Sequence, residues 1–344
     1  MSFWYSNTMH INPKLLALGT GALFILYVLI QLFVPSNIGS TQVEVQVPEG
    51  ATFKQAINVL YENSLIRDKN LFLLIGKFSG QDRRIRAGYY AFWGHMSPID
   101  VYRRLLSGKI IEYDFTVIEG DSLPEIGKKL AATKIMTLEK FERLATDKNF
   151  MSSLKIDAPS LEGYLYPQTY KFPKGAQPES VVKLMVNKLR EEFGDDLQKK
   201  AKKMGWTENE VLTLASIIER EAVTEGERTL ISAVYHNRIK KGMPLQADPT
   251  AVYGVKSYRK KITRNDLKKK TEYNTYVIKG LPPGPIASPG IRSIIAALHP
   301  ADVGYLYFVA QGDGSHYFSK TMAEHISATK KLRMKQAAAR KEDG

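Results

Sequence analysis

Two glutamates, Glu219 and Glu221, close an otherwise apolar stretch, Leu212-Thr-Leu-Ala-Ser-Ile-Ile-Glu-Arg-Glu-Ala222. A carboxyl group set against apolar surface favours its protonated form, so such a side chain can act as a general acid near neutral pH. The stretch follows Thr207-x-x-Glu210, a capping box that predicts a helix start. At ~100° per residue, Val211, Leu214, Ala215, Ile218 and Ala222 fall on one face, and Thr213, Ser216 and Arg220 on the opposite one. Glu219 and Glu221 then lie at the two edges of the apolar arc. Residues two apart on a helix do not face each other, so these two cannot act as a pair on one bond. A two-carboxylate glycosidase site must find its second member elsewhere. Periodicity leaves open which glutamate would be the acid.

Other residues around this helix suit a carbohydrate. Ser160-Leu-Glu-Gly-Tyr-Leu-Tyr-Pro-Gln-Thr-Tyr-Lys-Phe172 is dense in aromatics and holds one carboxylate, Glu162. Tyrosine faces match the apolar faces of sugar rings, and polar neighbours match the hydroxyls. Leu245-Gln-Ala-Asp-Pro-Thr250 places Gln246 and Asp248 just before a proline, in an extended or turn segment. Tyr273-Asn-Thr-Tyr276 and Gly280–Gly290 are turn-rich, and loops of that kind shape a site more often than a core. His316 stands alone in an expected strand and reads as structural. Lys256–Lys270 carries eight basic residues against one Asp and reads as a solvated face.

The elements that would position these groups follow from periodicity. Leu15–Val34 is 20 residues without a charge, long enough to cross a hydrocarbon core of ~30 Å. The sequence after it, Phe33-Val34-Pro35-Ser36-Asn37-Ile38-Gly39, is a poor signal-peptidase site, which favours a retained anchor. Lys14 precedes the span and no Lys or Arg follows until Lys54, so the N-terminus is expected in the cytoplasm and the rest outside. Val43, Val45 and Val47 alternate as in a strand, and Phe53–Tyr61 has helical spacing. Seventy residues on, the pattern returns without a gap: Val45 aligns with Phe115, Leu60 with Leu130, Leu65 with Ile135, Leu71 with Phe141 and Leu74 with Leu144. Each copy reads strand, Glu-Gly turn, helix, short loop, helix. Gly88–Phe92 between them looks like a strand, and Ser97-Pro98 opens a helix to Leu106. A strand and helix joined by a Glu-Gly turn resembles the LysM module, which binds N-acetylglucosamine-containing glycans; a spacer of two small α/β units is the other reading. Gln177–Phe193, Thr229–Lys241 and Ile291–Leu298 read as helices, Tyr305–Ala310 as a buried strand, Gly312–Phe318 as a hairpin turn with its partner strand, and the chain from Ser327 as a basic helix.

Bulk composition agrees. The 344 residues, 44% hydrophobic, suffice for two or three domains. The absence of cysteine excludes disulfides, zinc-thiolate sites, Fe–S clusters and a cysteine nucleophile. A net charge of +14 suggests an acidic partner. No nucleic-acid motif accompanies it, so a membrane or cell-wall setting is favoured over nucleic acid.

Six motifs together carry a resemblance: Leu161-Glu-Gly-Tyr-Leu-Tyr-Pro-Gln-Thr-Tyr170, Ala215-Ser-Ile-Ile-Glu-Arg-Glu-Ala222, Leu245-Gln-Ala-Asp-Pro-Thr250, Tyr273-Asn-Thr-Tyr276, Gly280-Leu-Pro-Pro-Gly-Pro-Ile-Ala-Ser-Pro-Gly290 and Leu306-Tyr-Phe-Val-Ala310. In order and spacing they resemble the YceG-like family of endolytic murein transglycosylases, over nearly the whole chain. The resemblance implies an inner-membrane protein facing the periplasm. It would cut nascent peptidoglycan glycan strands internally and leave a 1,6-anhydro-N-acetylmuramic acid end. It implies Glu221 as the catalytic glutamate, with Glu219 a supporting neighbour. Substrate contacts are expected from Glu162, Gln246, Asp248, Asn274 and Tyr276, and the partners would be glycan strands, the inner membrane and peptidoglycan synthases of the penicillin-binding type. No cofactor and no metal are expected; a pyridoxal-phosphate lyase would need a lysine and phosphate-loop arrangement that the sequence does not offer. The expected fold class is α+β. Residues 1–14 are cytoplasmic and 15–34 a single transmembrane helix. A LysM-like α/β subdomain over 41–150, a mixed α+β catalytic domain over 155–330 and a basic tail over 331–344 follow.

Overall fold

Asn12 opens the first helix, α1 (Pro13–Phe33): its side chain accepts from the Lys14 N–H, and Pro13 suits the first turn. Among the described residues α1 is the one helix long and apolar enough to cross a membrane, and none of its span is buried within the protein. The computed structural model describes residues 12–36, 39, 41–81, 85–256, 258 and 261–342. The expected cytoplasmic segment therefore lies outside the described residues as far as residue 11, as do Asn37, Ile38, the last two residues of the tail, and Ser257, Arg259 and Lys260 of the basic stretch. The whole is a mixed α+β chain that divides into two compact units: Met1–Tyr113 with Pro173–Gly175, and Asp114–Phe172 with Ala176–Gly344. The division falls inside the repeat.

In the first unit, β1 (Gln42–Val47) buries Val45 and Val47 and leaves Glu44 and Gln46 exposed. Gly50, at φ +73°, makes the turn that a side chain would resist. Then come α2 (Phe53–Glu62), started by a Thr52/Gln55 capping box, and α3 (Lys69–Ser79), capped by Asp68. β2 (Gly88–Trp93) returns antiparallel to β1, with Val45 opposite Tyr90 and Val47 opposite Gly88. α4 (Pro98–Leu106), N-capped by Ser97, adds Val101, Tyr102 and Leu105 to the core. One expected equivalence shifts. Leu74 is 52% exposed, and α3 instead buries Phe72 against the Tyr102 ring, centroids 5.4 Å apart. Gly76 sets that rotation: a Cβ there would meet the Phe53 ring at 2.3 Å, so α3 lies close on α2. Arg67 donates to the Val34 and Pro35 carbonyls at 2.7 and 2.5 Å, satisfying the C-terminal end of α1.

The second copy of the repeat begins with β3 (Glu112–Thr116), the Gly120 turn, α5 (Leu123–Ala132) and α6 (Leu138–Thr146). Phe115, Leu130, Phe141 and Leu144 are all buried. After α7 (Lys148–Ser153) the chain forms β4 (Thr169–Pro173), which pairs with β3. Each copy is thus closed by a partner strand, and the Tyr170 and Phe172 side chains that looked like loop aromatics are core residues of β4. α8 (Pro178–Glu192) follows its amphipathic pattern, and the polar stretch after it is also helical, α9 (Asp195–Lys203).

The second unit is organised around α10 (Glu208–Glu221), which packs against α9, α11 (Arg228–Lys240), α12 (Asp248–Val252) and α14 (Ile291–Leu298). A short α13 (Arg264–Leu267) precedes α14. β5 (Tyr307–Ala310) and β6 (His316–Ser319) form an antiparallel hairpin, followed by α15 (Met322–Glu342). β5 is half-buried rather than buried, since a two-stranded hairpin has one open face.

Candidate active site

The capping box holds as expected: Glu210 N–H donates to Thr207 Oγ1 at 3.2 Å, and Thr207 N–H to Glu210 Oε2 at 2.8 Å. From there α10 buries every side chain from Val211 to Ile218, so the expected polar face of Thr213 and Ser216 is core as well. Their hydroxyls are absorbed locally. Thr213 donates to the Asn209 carbonyl at 2.6 Å, and Ser216 donates to the Thr213 carbonyl at 2.8 Å while accepting from Ile286 N–H at 3.0 Å. A helix packed on all sides has a fixed rotation. The last turn, where the chain leaves as an extended segment at Ala222, therefore presents its glutamates at set positions.

The two glutamates have different surroundings. Glu219 Oε1 accepts from Arg228 Nη2 at 3.2 Å and its Oε2 from Gly290 N–H at 2.9 Å, with the side chain 6% exposed. Both oxygens are fastened, and the carboxylate ties α10 to α11 and to the N-terminus of α14. As a whole residue Glu221 is partly buried, as Glu219 is. Burial pushes its carboxyl up to about 8, and the Asp248 carboxylate adds to the rise; hydrogen bonds from the Tyr235 hydroxyl and the Asp248 N–H oppose it. The Tyr235 hydroxyl stands 3.5 Å from Glu221 Oε1.

The Leu-Gln-Ala-Asp-Pro-Thr segment comes to Glu221. Asp248 begins α12, is exposed, and accepts on Oδ1 from the Tyr276 hydroxyl at 2.5 Å. Burial, with the Asp248 hydrogen bond second, raises the Tyr276 phenol far above its ordinary value, so it stays a donor. Gln246 is exposed and sits at φ +51°, a left-handed conformation held by its N–H on the Thr275 carbonyl at 3.0 Å. A buried pair behind it, Thr250 and Thr275, shares a hydroxyl contact of 2.7 Å and locks the two loops together.

Two expected substrate contacts lie deeper. Asn274 is fully buried; its amide donates to the Lys269 and Leu267 carbonyls at 2.7 and 3.1 Å and its Oδ1 accepts from Tyr276 N–H at 3.0 Å. It shapes the loop that carries Tyr276. Glu162 is 2% exposed, with Leu123 N–H 3.0 Å from Oε1 and the Tyr253 hydroxyl 2.9 Å from Oε2. Burial pushes its carboxyl up to about 8 despite these donors. It joins the N-terminus of α5 to the residue after α12.

Sequence reading missed Arg238, Arg228 and Tyr235. Arg238 is 7% exposed and spreads its donors over the Leu245 and Leu306 carbonyls, at 2.7 Å each, and Gln246 Oε1 at 3.4 Å. Its signal was available: an arginine one turn from the apolar Val234 and Tyr235 on a core helix must have buried acceptors. His316 is structural as expected, with Nδ1 2.7 Å from Glu227 Oε2 and its N–H on Oε1 at 2.8 Å. In the basic stretch, Lys256 pairs with Asp266, whose carboxyl this bond holds well below the usual range.

Comparison with known proteins fits this arrangement. The YceG-like family profile matches residues 45–331. An endolytic murein transglycosylase of Bacillus subtilis is 33% identical over 308 residues, covering 85% of each chain. One from Streptococcus pneumoniae serotype 2 is 27% identical over 331 residues, 87% of this chain and 60% of that protein. A crystal structure of a yceG-like protein from Listeria monocytogenes superposes with a TM-score of 0.59 at 30% identity, over 83% of this chain and 98% of that one. The matched span takes in both repeat copies, the buried helix α10 and the loops that meet Glu221, and the chain belongs to the YceG-like family.

Proposed function

We propose that this chain is an endolytic peptidoglycan lytic transglycosylase in which Glu221 is the acid and the base. The observation that carries the reading is the contrast between the two glutamates: Glu219 is fastened at both oxygens and paired with Arg228, while Glu221 stands by the Asp248 carboxylate and is raised, mainly by burial, to about 8, which makes it protonatable near neutral pH. Protonated Glu221 donates to the glycosidic oxygen between N-acetylmuramic acid and N-acetylglucosamine as the C1–O bond breaks. The 6-hydroxyl of the muramic acid then closes on C1, and the Glu221 carboxylate takes that hydroxyl's proton, which restores the acid. The nucleophile belongs to the substrate, so proximity replaces a second catalytic carboxylate. Tyr276 holds Asp248, and Asp248 keeps the proton on Glu221.

The similarity to endolytic murein transglycosylases supports the substrate, and α1 supports attachment to the membrane. In this reading the N-terminus is cytoplasmic, the rest periplasmic, and the product end stops strand elongation beside the peptidoglycan synthases. The order strand–helix–helix–strand in the first repeat copy, with its ends paired antiparallel, supports a LysM-like glycan-binding role for that unit.

Incubation of the full chain with uncrosslinked glycan, followed by mass spectrometry, tests the function. Anhydro-ended fragments are expected from the wild type and none from Glu221→Gln. A product heavier by one water would instead make Asp248 a water-activating base in a hydrolase. Wild type without either product sinks the enzymatic reading.

A further inference from the structure

Phe78, near the end of α3, is 84% exposed, more than Leu18 at 70%, the most exposed large apolar residue of α1. It is not alone. Leu74 is exposed as well, and Leu71 and Ile75 are half-buried. These residues stand at i, i+3, i+4 and i+7. At ~100° per residue they form one stripe along α3, turned away from Phe72 and Gly76 on its core side. A surface helix in water carries polar residues on that face.

The N-terminal end of α3 is fastened to α1. Asp68, which caps α3, accepts on Oδ2 from the Tyr27 hydroxyl at 2.8 Å. The residue before it, Arg67, holds the Val34 and Pro35 carbonyls. Tyr27 lies roughly 9 Å along the helix from Phe33, where α1 ends. α3 therefore starts level with the end of the apolar span. Asp68 is three residues before Leu71 and seven before Ile75, so the cap and the stripe share a side of α3. Lys77 borders the stripe beside Leu74, and Lys69 Nζ stands 5.3 Å from the ring centre of the exposed Tyr61. Tyrosine and lysine are side chains that settle at a membrane–water interface, apolar part inward and polar tip among the headgroups. A second copy would also cover an apolar stripe, but the chain itself brings a bilayer to this one, because α1 carries its lipid to within reach of Asp68.

We propose that α3 is a membrane-surface helix: Leu71, Leu74, Ile75 and Phe78 enter the leaflet at the C-terminal end of α1, with Lys69 and Lys77 among the lipid headgroups. The proposal rests on the reading of α1 as a membrane span and adds a second contact to it. A lone span leaves the first unit free to roll and tilt over the bilayer, and the second contact removes that freedom. Four side chains, two of them half-buried, offer no more apolar surface than a myristoyl chain, which by itself binds only marginally. The stripe orients the unit and does not hold it without α1.

The chain has no cysteine, so a single label can be placed at either contact. Phe78→Cys and, separately, Leu23→Cys in α1 are labelled with the fluorophore NBD, and each full-length chain is reconstituted into phospholipid vesicles with and without lipid that carries a doxyl quencher midway along its acyl chain. Both positions are exposed, so neither change disturbs the core. Emission at residue 78 should be lost to the doxyl lipid, as at residue 23. Leu74→Asp added to the Phe78→Cys chain puts a charge in the stripe and should restore the emission. Quenching that survives the charge belongs to the dye and overturns the proposal. Quenching at 23 without quenching at 78 overturns the surface helix and leaves the span. Quenching at 78 alone overturns the span and leaves the α3 contact standing, and quenching at neither overturns both. A blue-shifted but unquenched signal at 78 that fades as the protein is diluted in lipid puts a second copy on the stripe in place of the bilayer.

Discussion

Asp248 acts on Glu221 in two opposed ways: its main-chain N–H donates to the Glu221 carboxylate, while its own carboxylate, second to burial, raises that group towards about 8. The amide fixes where the carboxyl sits, and the charge fixes when it holds a proton. Glu221 must be protonated to start the reaction. Activity should therefore persist through neutral pH and fall as pH rises through about 8. Replacing Asp248 with Asn removes the charge and keeps the amide. The alkaline limb of kcat/KM against pH should then move to lower pH. A limb that stays in place would show that another group sets it.

Tyr276→Phe removes the donor to Asp248 Oδ1. Asp248 then loses its charge-assisted anchor, and kcat/KM on uncrosslinked glycan should fall roughly three- to tenfold. Steady-state kinetics with thermal melting alongside separates this from unfolding: the melt should move little, because the hydroxyl lies at the open edge of the site.

Glu219→Gln should act on stability. The substitution breaks the pair with Arg228, whose side chain is 13% exposed, and leaves that guanidinium buried without its countercharge. A loss of about 3 kcal/mol is expected in urea unfolding. The alkaline limb of the pH profile should stay where it is in the folded variant. A stable variant with a displaced limb would reverse the roles of the two glutamates.

Glu162 makes stability depend on pH. Its folded carboxyl is raised to about 8, mainly by burial, from an ordinary 4.5. The folded state therefore holds the proton better than the unfolded chain does. The stabilisation is fully present below the ordinary value and is lost as pH rises through about 8, at no more than about 1.4 kcal/mol per pH unit. Glu162→Gln should flatten this slope between pH 5 and 8 (roughly the window where the two states differ in protons). Urea unfolding at several pH values reads it; an equally steep variant would move the effect elsewhere.

α1 is the proposed anchor. A chain beginning at Gln42 should leave the membrane fraction and appear in the soluble fraction of the cell envelope. Retention on membranes after that truncation would place the attachment in the folded units instead.

Elements with a single period were legible in the sequence. α4 and α14 fall where their caps and apolar spacing put them, and the Glu-Gly turns recur at Gly50 and Gly120. The fully packed rotation of α10 was not legible, because Thr213 and Ser216 bury their hydroxyls against backbone carbonyls that periodicity does not count. The site was legible as types and not as depths. Asp248 and Tyr276 lie near Glu221, Gln246 is held by Arg238 and Thr275, and Glu162 and Asn274 are buried with their polar atoms bonded to other segments, a distinction that depends on contacts distant in sequence. Arg238 escaped notice because its acceptors are main-chain carbonyls, which every sequence contains.

The first unit is not a continuous segment. Its last piece, Pro173–Gly175, arrives after the chain has already entered the second unit, and Lys174 there pairs with Glu44 of β1. No single cut separates the units. A fragment ending at Tyr113 lacks the lysine that neutralises Glu44, and one beginning at Asp114 carries that lysine with nothing to meet. Recombination at one crossover point would leave the same two defects, so exchanging the first unit whole takes two further junctions, one on each side of Pro173–Gly175.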